Sequence, residues 1–317
     1  MGSDFFVQEH DVVTIFVYLQ KNIGMTRLIY KIFTLLSATL LFACQSHRAE
    51  QNAEIVVSIA PLKYIVEQIT AGDFEVDVLV PAGTSPETFD PTPRQMQNVQ
   101  DATLLFTTGL IEFEQNIVER LENKSNVISL SRGIELIEGS HSHEDHAEEH
   151  HEGGHSHHHG TDPHIWTSPR ELKTMARNAY EAIIEQYPDS VKYSAAYNDF
   201  VAQLNNLDTM CQQMCEASSA RAFVIYHPAL TYFARAYSME QIAVETDGKE
   251  PSARHIATLI EQAQAKGIHS LLYQKEFPRS VVDVIARDMG VEPQEIDPLK
   301  ENVIENITEI TRLITSK

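Results

Sequence analysis

The sequence predicts an α/β protein of two lobes, each a parallel β-sheet flanked by helices, joined by a long rigid linking helix. Three observations carry this reading. Short β-rich apolar runs alternate with segments of helical periodicity from Glu54 onward, the pattern of parallel sheets with covering helices. One helix near the middle of the chain is marked far more sharply than the others. A chain of 317 residues, 43% of them hydrophobic, has the length of about two domains.

The N-terminus is set aside first. MTRLIYKIFTLLSATLLFAC, from Met25, carries two positive residues, then an apolar stretch that ends at Leu41-Phe42-Ala43-Cys44. This reads as a secretory signal rather than a membrane span. Leu-x-Ala-Cys resembles a bacterial lipobox, whose cysteine becomes the lipidated first residue, so Cys44 is the expected membrane anchor. Met25 is a better start than Met1, because Asp4, Glu9 and Asp11 precede it where a signal peptide wants no acids. Residues 1–43 are therefore leader and signal peptide, and the expected location is extracytoplasmic, lipid-anchored in the periplasm or cell envelope. The formal charge of −21, from 45 acidic against 24 basic side chains, is unchanged by this removal. Such a balance repels nucleic acid and concentrates cations.

The elements follow in order. EIVVSI, FEVDVLV, TLLFTT and NVISL read as strands, separated by helices at PLKYIVEQIT, PRQMQNVQDA and FEQNIVERL. Residues 141–160 then interrupt with nine of the fifteen histidines and no apolar periodicity, which predicts a mobile exposed loop. SPRELKTMARNAYEAIIEQYP is the sharpest helix: Ser168 as cap, Pro169 at the first position, Glu171 completing a capping box, and Leu172, Met175, Ala176, Ala179 and Ile183 as one apolar stripe ending at Pro188. A second helix, SVKYSAAYNDFVAQLNNLDTMCQQM, follows directly. RAFVIY, MEQIAV, HSLLYQ and PQEID read as strands, with helices at ALTYFARAY, PSARHIATLIEQAQAK and PRSVVDVIARDM. The expected divisions are 44–167 for the N-terminal lobe with its His-rich loop, 168–187 for the linking helix and 188–317 for the C-terminal lobe.

Open α/β sheets bind ligands beyond the carboxyl ends of their strands. Metal-competent side chains stand there. Glu87 lies in the loop after FEVDVLV, His227 follows RAFVIY, Asp297 follows the strand ending at Ile296, and His164 precedes the sharp helix. Singly, each also fits a turn, cap, loop or surface role; together, two imidazoles and two carboxylates can neutralise and enclose a divalent cation. A closed four-ligand site leaves no position for a reactive water, which favours carrying the metal over catalysis with it. Zn²⁺, Mn²⁺ and Fe²⁺ all accept this set.

PAGTSPETFDPTPRQM, DPHIWTSP, YHPALTYFARAY and EIDPL, in this order, resemble the solute-binding proteins of bacterial ABC importers for zinc and manganese. The match runs from about Ile55 to the C-terminus. The resemblance implies two lobes on one rigid helix, a metal between them, and Glu87, His164, His227 and Asp297 as its ligands. It also implies a membrane permease and a separate ATPase as partners, and a monomer. The family generally has His where Glu87 stands. Two histidines with two carboxylates match the manganese members, while the His-rich loop matches the zinc members. Zinc is favoured, because a tract of nine imidazoles has no obvious use for Mn²⁺.

His141, His143, His146, His150, His151, His155, His157, His158 and His159 are then an accessory to the main site. They capture metal loosely, since ordering the segment costs about 1–2 kcal/mol per residue in backbone entropy. Cys211 and Cys215, four apart on a helix, are expected as buried free thiols. Glu112 and Glu114 read as a solvated face, His255 and His269 as structural on a helix and a strand, and Trp166 as packing at the lobe junction. A secreted zinc hydrolase is disfavoured by the lack of HExxH and of an evident general base beside an open metal site. A surface adhesin is the remaining alternative. No phosphate-binding GxxxxGK[ST] loop is present, so the chain is not an enzyme that drives transport itself.

Overall fold

The computed structural model describes residues 53–139, 160–188, 191–245 and 251–316. The leader, Cys44 and the histidines of 141–159 lie outside the described residues. Two four-stranded sheets organise the remainder. The first contains β1 (Ile55–Val57), β2 (Val76–Val78), β3 (Leu104–Thr107) and β4 (Val127–Ser129), in the order β2-β1-β3-β4. The second contains β5 (Ala222–Ile225), β6 (Glu240–Ala243), β7 (Leu271–Gln274) and β8 (Pro293–Ile296), in the order β6-β5-β7-β8. Every pairing is parallel. Parallel neighbours need crossover connections, and the helices expected from the sequence supply them.

In the first half these are α1 (Ala60–Thr70), α2 (Pro93–Asp101) and α3 (Glu112–Arg120). Proline starts α2, and Thr92 with Gln95 forms a reciprocal capping box there. A 3₁₀ turn at Ile165–Thr167 leads into α4 (Pro169–Gln186), followed by the 27-residue α5 (Val191–Ala217). The second half holds α6 (Thr231–Ala236), α7 (Ala253–Ala265), α8 (Arg279–Met289) and α9 (Val303–Thr315). Among the described residues, no helix is long and apolar enough to cross a membrane.

The two sheets share a core. Helix α4 buries the expected stripe of Leu172, Met175, Ala176, Ala179 and Ile183. It lies along α5, and α5 packs in turn on α1 from the first half and α9 from the second. Alternation along β5 shows how the second sheet joins in: Phe223 and Ile225 enter the core shared with the first sheet, while Ala222 and Val224 enter a separate core under α7 and α8. A continuous apolar core across both sheets leaves no wet seam at which they would swing freely.

Three local expectations are corrected. Ser168 precedes α4 but its hydroxyl makes no cap bond, and the Glu171 carboxylate instead accepts a 2.8 Å hydrogen bond from Arg235 of α6. An ion pair across elements, buried only on the Glu171 side, outcompetes the local capping box. Glu114 is not on a solvated face: it is 1% exposed, and its carboxylate accepts the backbone N–H groups of Thr108, Gly109, Leu110 and Ile111 and the Thr108 hydroxyl. Gly109 makes this convergence possible with φ +76°, and a Cβ there would lie 2.4 Å from the Ser129 hydroxyl. His269 is exposed and stands before β7 rather than on it. Glu112 is exposed, as expected of a solvated face. Cys211 and Cys215 are free and buried, and burial pushes both thiols up, Cys215 to about 11.

Candidate metal centre

Three of the four proposed ligands converge. One ligand atom each from Glu87, His164 and His227 lies within 4.8 Å of the others. His227 Nε2 is 3.3 Å from His164 Nε2 and 3.2 Å from Glu87 Oε1. Two ligands at metal-bond lengths of about 2.0–2.1 Å in a tetrahedral arrangement stand roughly 3.3 Å apart. The observed spacing is the one that two ligands of a single ion would have.

The strand-end rule accounts for these positions. The order of the second sheet reverses between β5 and β7, the switch point where a crevice opens. His227 leaves β5 there, and Gln274 at the end of β7 clamps its backbone, accepting its N–H at 3.3 Å and donating to its carbonyl at 3.1 Å. The His227 ring stacks on Phe277 with centroids 5.7 Å apart. His164 starts the 3₁₀ turn before α4, and Trp166 packs beside it with its indole N–H bonded to the Pro298 carbonyl at 2.9 Å. Glu87 sits on the loop after β2, where its N–H bonds to Ser85; nearly half of its side chain is exposed. Both histidines are far more enclosed, at 10% and 15% side-chain exposure.

Two further carboxylates set the chemistry. Asp162, buried, holds His164 Nδ1 at 2.9 Å and also accepts the His164 N–H. Glu245, also buried, holds His227 Nδ1 at 3.1 Å. A carboxylate on Nδ1 fixes the tautomer with the proton on that nitrogen and leaves the Nε2 lone pair free for a metal. The facing Nε2 atoms and Glu87 Oε1 are thus three acceptors around one point with no donor among them. Such a set suits a bound cation, for which protons would compete. Burial disfavours charge on His227, but its hydrogen bond to Glu245 and the charges of Glu87, Glu245 and Asp162 outweigh that, so its pKa lies above the ordinary histidine value. Burial would likewise raise Asp162, yet His164 and the hydrogen bonds it receives hold its carboxyl below the usual range.

Asp297 is not among the converging three. It is exposed after β8, where its carboxylate accepts the Leu299 N–H at 2.9 Å, although the adjacent Pro298 and Leu299 line the same cavity as Glu87, His164 and His227. Asp162 and Glu245 were not singled out in the sequence. Glu245 was open to the strand-end argument, since it follows β6, the neighbour of β5. Asp162 stands in DPHIW, two residues before His164, close enough for a local side-chain contact.

The family model described as zinc-uptake complex component A, periplasmic, matches residues 55–313. The chain belongs to this family. Its member in Bacillus subtilis, the high-affinity zinc uptake system protein ZnuA, is 27% identical over 82% of this chain and 85% of its own. The zinc-binding protein AdcA of Streptococcus pyogenes serotype M6 is 26% identical over 80% of this chain, which spans about half (51%) of AdcA. A crystal structure of ZnuA superposes with a TM-score of 0.72 at 30% identity, covering 82% of this chain and 97% of that one. Both parallel sheets and the long helices between them are therefore those of the ZnuA fold.

Proposed function

We propose that this ZnuA-family chain is an extracytoplasmic receptor that binds Zn²⁺ between Glu87, His164 and His227 and hands it to the permease of an ABC importer. The carrying observation is the pair of imidazole Nε2 atoms 3.3 Å apart, each backed by a buried carboxylate and joined by Glu87. Two nitrogens and one oxygen favour zinc among available divalent ions, with Mn²⁺ the competitor that the carboxylate admits. The names of the Bacillus and Streptococcus relatives support zinc. Asp297, adjacent to the cavity-lining Pro298 and Leu299, is the proposed fourth ligand, and its engagement would exclude a reactive water and make the site a carrier rather than a hydrolase.

The proposed lobes are 44–167 and 188–317, with 168–187 as the link between them. Cys44 is the proposed lipid anchor, and the histidines of 141–159 an accessory that gathers zinc loosely. Export would leave the permease and its ATPase as separate chains, and the receptor itself a monomer.

The deciding experiment is metal analysis of the full chain purified without added metal, followed by competition between Zn²⁺ and Mn²⁺ for the parent, His164→Ala and His227→Ala. One tightly held Zn²⁺ in the parent, lost in both variants, is expected. Equal preference for Mn²⁺, or hydrolytic turnover with the metal bound, would overturn the reading. For the anchor, Cys44→Ala should release the protein from membranes or leave it unprocessed.

A further inference from the structure

The spacing of the two imidazoles has to be held by something, because His164 and His227 are 63 residues apart in sequence. Tyr232 connects their segments. It stands on α6, five residues beyond His227, and is fully buried. Its hydroxyl accepts the Ile137 N–H at 3.2 Å and donates to the Asp162 carbonyl at 2.8 Å. Asp162 in turn grips His164 Nδ1 and accepts the His164 N–H, both at 2.9 Å.

We propose that Tyr232 is a positioning residue of the metal centre, whose hydroxyl ties the segment carrying His164 to the turn carrying His227 and so sets the separation of the two Nε2 atoms. The proposal rests on reading that pair as metal ligands. A single hydroxyl here meets both strands of a paired stem, since the Asp162 N–H also bonds to the Ile137 carbonyl at 2.9 Å. The ring itself is fixed: the Arg235 guanidinium lies 5.1 Å over it and is anchored by the Glu135 carbonyl and the Glu171 carboxylate. The preceding residue, Thr231, interacts with the Asp162 side chain, so consecutive residues of α6 hold the carbonyl and the carboxylate of one aspartate. Burial raises the Tyr232 pKa, which keeps the hydroxyl protonated and able to donate.

Two parallel braces exist. Thr167 Oγ1 reaches the Ala229 carbonyl at 3.0 Å, and Trp166 Nε1 reaches that of Pro298 at 2.9 Å. Thr167 Oγ1 also donates to the His164 carbonyl at 2.8 Å and so braces the backbone of that histidine, whereas Tyr232 reaches Asp162, which orients its ring. Phenylalanine at 232 would fill the same space, leave the Ile137 N–H and the Asp162 carbonyl unpaired, and free Asp162 to shift.

The test uses Co²⁺ as a spectroscopic probe of the full chain, with Zn²⁺ competition for affinity. Parent protein should bind one Co²⁺ with the visible absorption of a four-coordinate site; if it binds none, the metal-centre reading fails rather than this one. Tyr232→Phe should shift or weaken those bands and lower affinity about tenfold, the lower end of what removing an outer support of a metal ligand does. Tyr237→Phe is the matched control, because that buried hydroxyl bonds to Asp208 at 3.0 Å, away from the centre. It should cost stability and leave spectrum and affinity unmoved. A parental spectrum and affinity for Tyr232→Phe, or equal shifts for both variants, would overturn the proposal. Should Tyr232→Phe fail to fold, Arg235→Met is read instead: it frees the Tyr232 ring from its guanidinium and should shift the same bands in the same direction, and a parental spectrum would overturn the proposal.

Discussion

His164 and His227 face each other through Nε2 atoms 3.3 Å apart, and each is turned into that position by a buried carboxylate on its Nδ1. Neutral imidazoles in this arrangement repel through their lone pairs unless a cation lies between them. If the pair ligates an ion as proposed, the rings are already oriented for it, and little side-chain entropy remains to be lost on binding.

The orienting carboxylates should matter nearly as much as the ligands. Asp162→Asn and Glu245→Gln keep size but weaken the hold on Nδ1, and each is expected to lower Zn²⁺ affinity between about tenfold and a hundredfold. Competition against a chromophoric chelator reads this directly. Unchanged affinity in both would mean that backbone geometry alone orients the rings.

Glu87 is the exposed member of the three. Glu87→Ala removes an anionic oxygen and should weaken both metals, and Glu87→Gln should do so as well by removing charge. Glu87→His should recover Zn²⁺ while penalising Mn²⁺, because imidazole replaces a hard oxygen. Calorimetric titration of the four proteins with each metal decides it; parental binding by Glu87→Ala would exclude Glu87 as a ligand.

Acidity should act on this site with opposite signs in its two states. Metal binding needs neutral His227, whose pKa is raised above 6.5, so Zn²⁺ affinity should begin to fall above pH 6.5 on acidification and then drop about tenfold per unit for one displaced proton. In the metal-free protein the raised pKa contributes stability that is fully present below 6.5 and is lost as pH rises through the folded value. Thermal melts with and without Zn²⁺ should therefore converge as the pH is lowered from 8 to about 6, near the unperturbed histidine value. A constant zinc-induced increment in Tm across that range would show that no histidine proton is displaced.

Deleting 141–159 should remove weak binding and keep the tightest phase. The flanking stem is closed by the Glu138–Thr161 bridge and by the Gly139 N–H on the Gly160 carbonyl at 2.7 Å, so Gly-Ser-Gly can complete a three-residue turn. Stoichiometry by calorimetry should fall. Loss of the tight phase would move the principal site into the tract.

Glu114 should prove structural. Its carboxylate receives four backbone N–H groups and one hydroxyl, and Glu114→Ala strands them in the interior. Destabilisation of about 3 kcal/mol or more is expected from urea melts, with metal affinity per folded molecule intact. A loss below about 1 kcal/mol would mean that water replaces the carboxylate.

The order and kind of the elements up to β8 were legible in the sequence because they rest on local physics, whereas helix α9 (Val303–Thr315) was not among those expected. Alternating β-rich and helical periods dictated eight strands between helices, and the stripe from Leu172 to Ile183 marked the buried face of α4. Parallel connectivity then placed Glu87 and His227 beyond strand ends, where ligands gather, and His164 at the head of α4. What only the tertiary structure decided was which donor each acidic group takes, a nearby one for Asp162, Glu114 and Asp297 and a distant one for Glu245 and Glu171. Asp162 and Glu245 orient imidazoles, Glu114 gathers backbone donors, Glu171 leaves its local cap for Arg235, and Asp297 holds the Leu299 N–H. A carboxylate accepts whatever donor is nearest. For Glu171, that donor comes from 64 residues away in sequence, from a helix packed against its own only in the folded chain, so its role has no local signature to read.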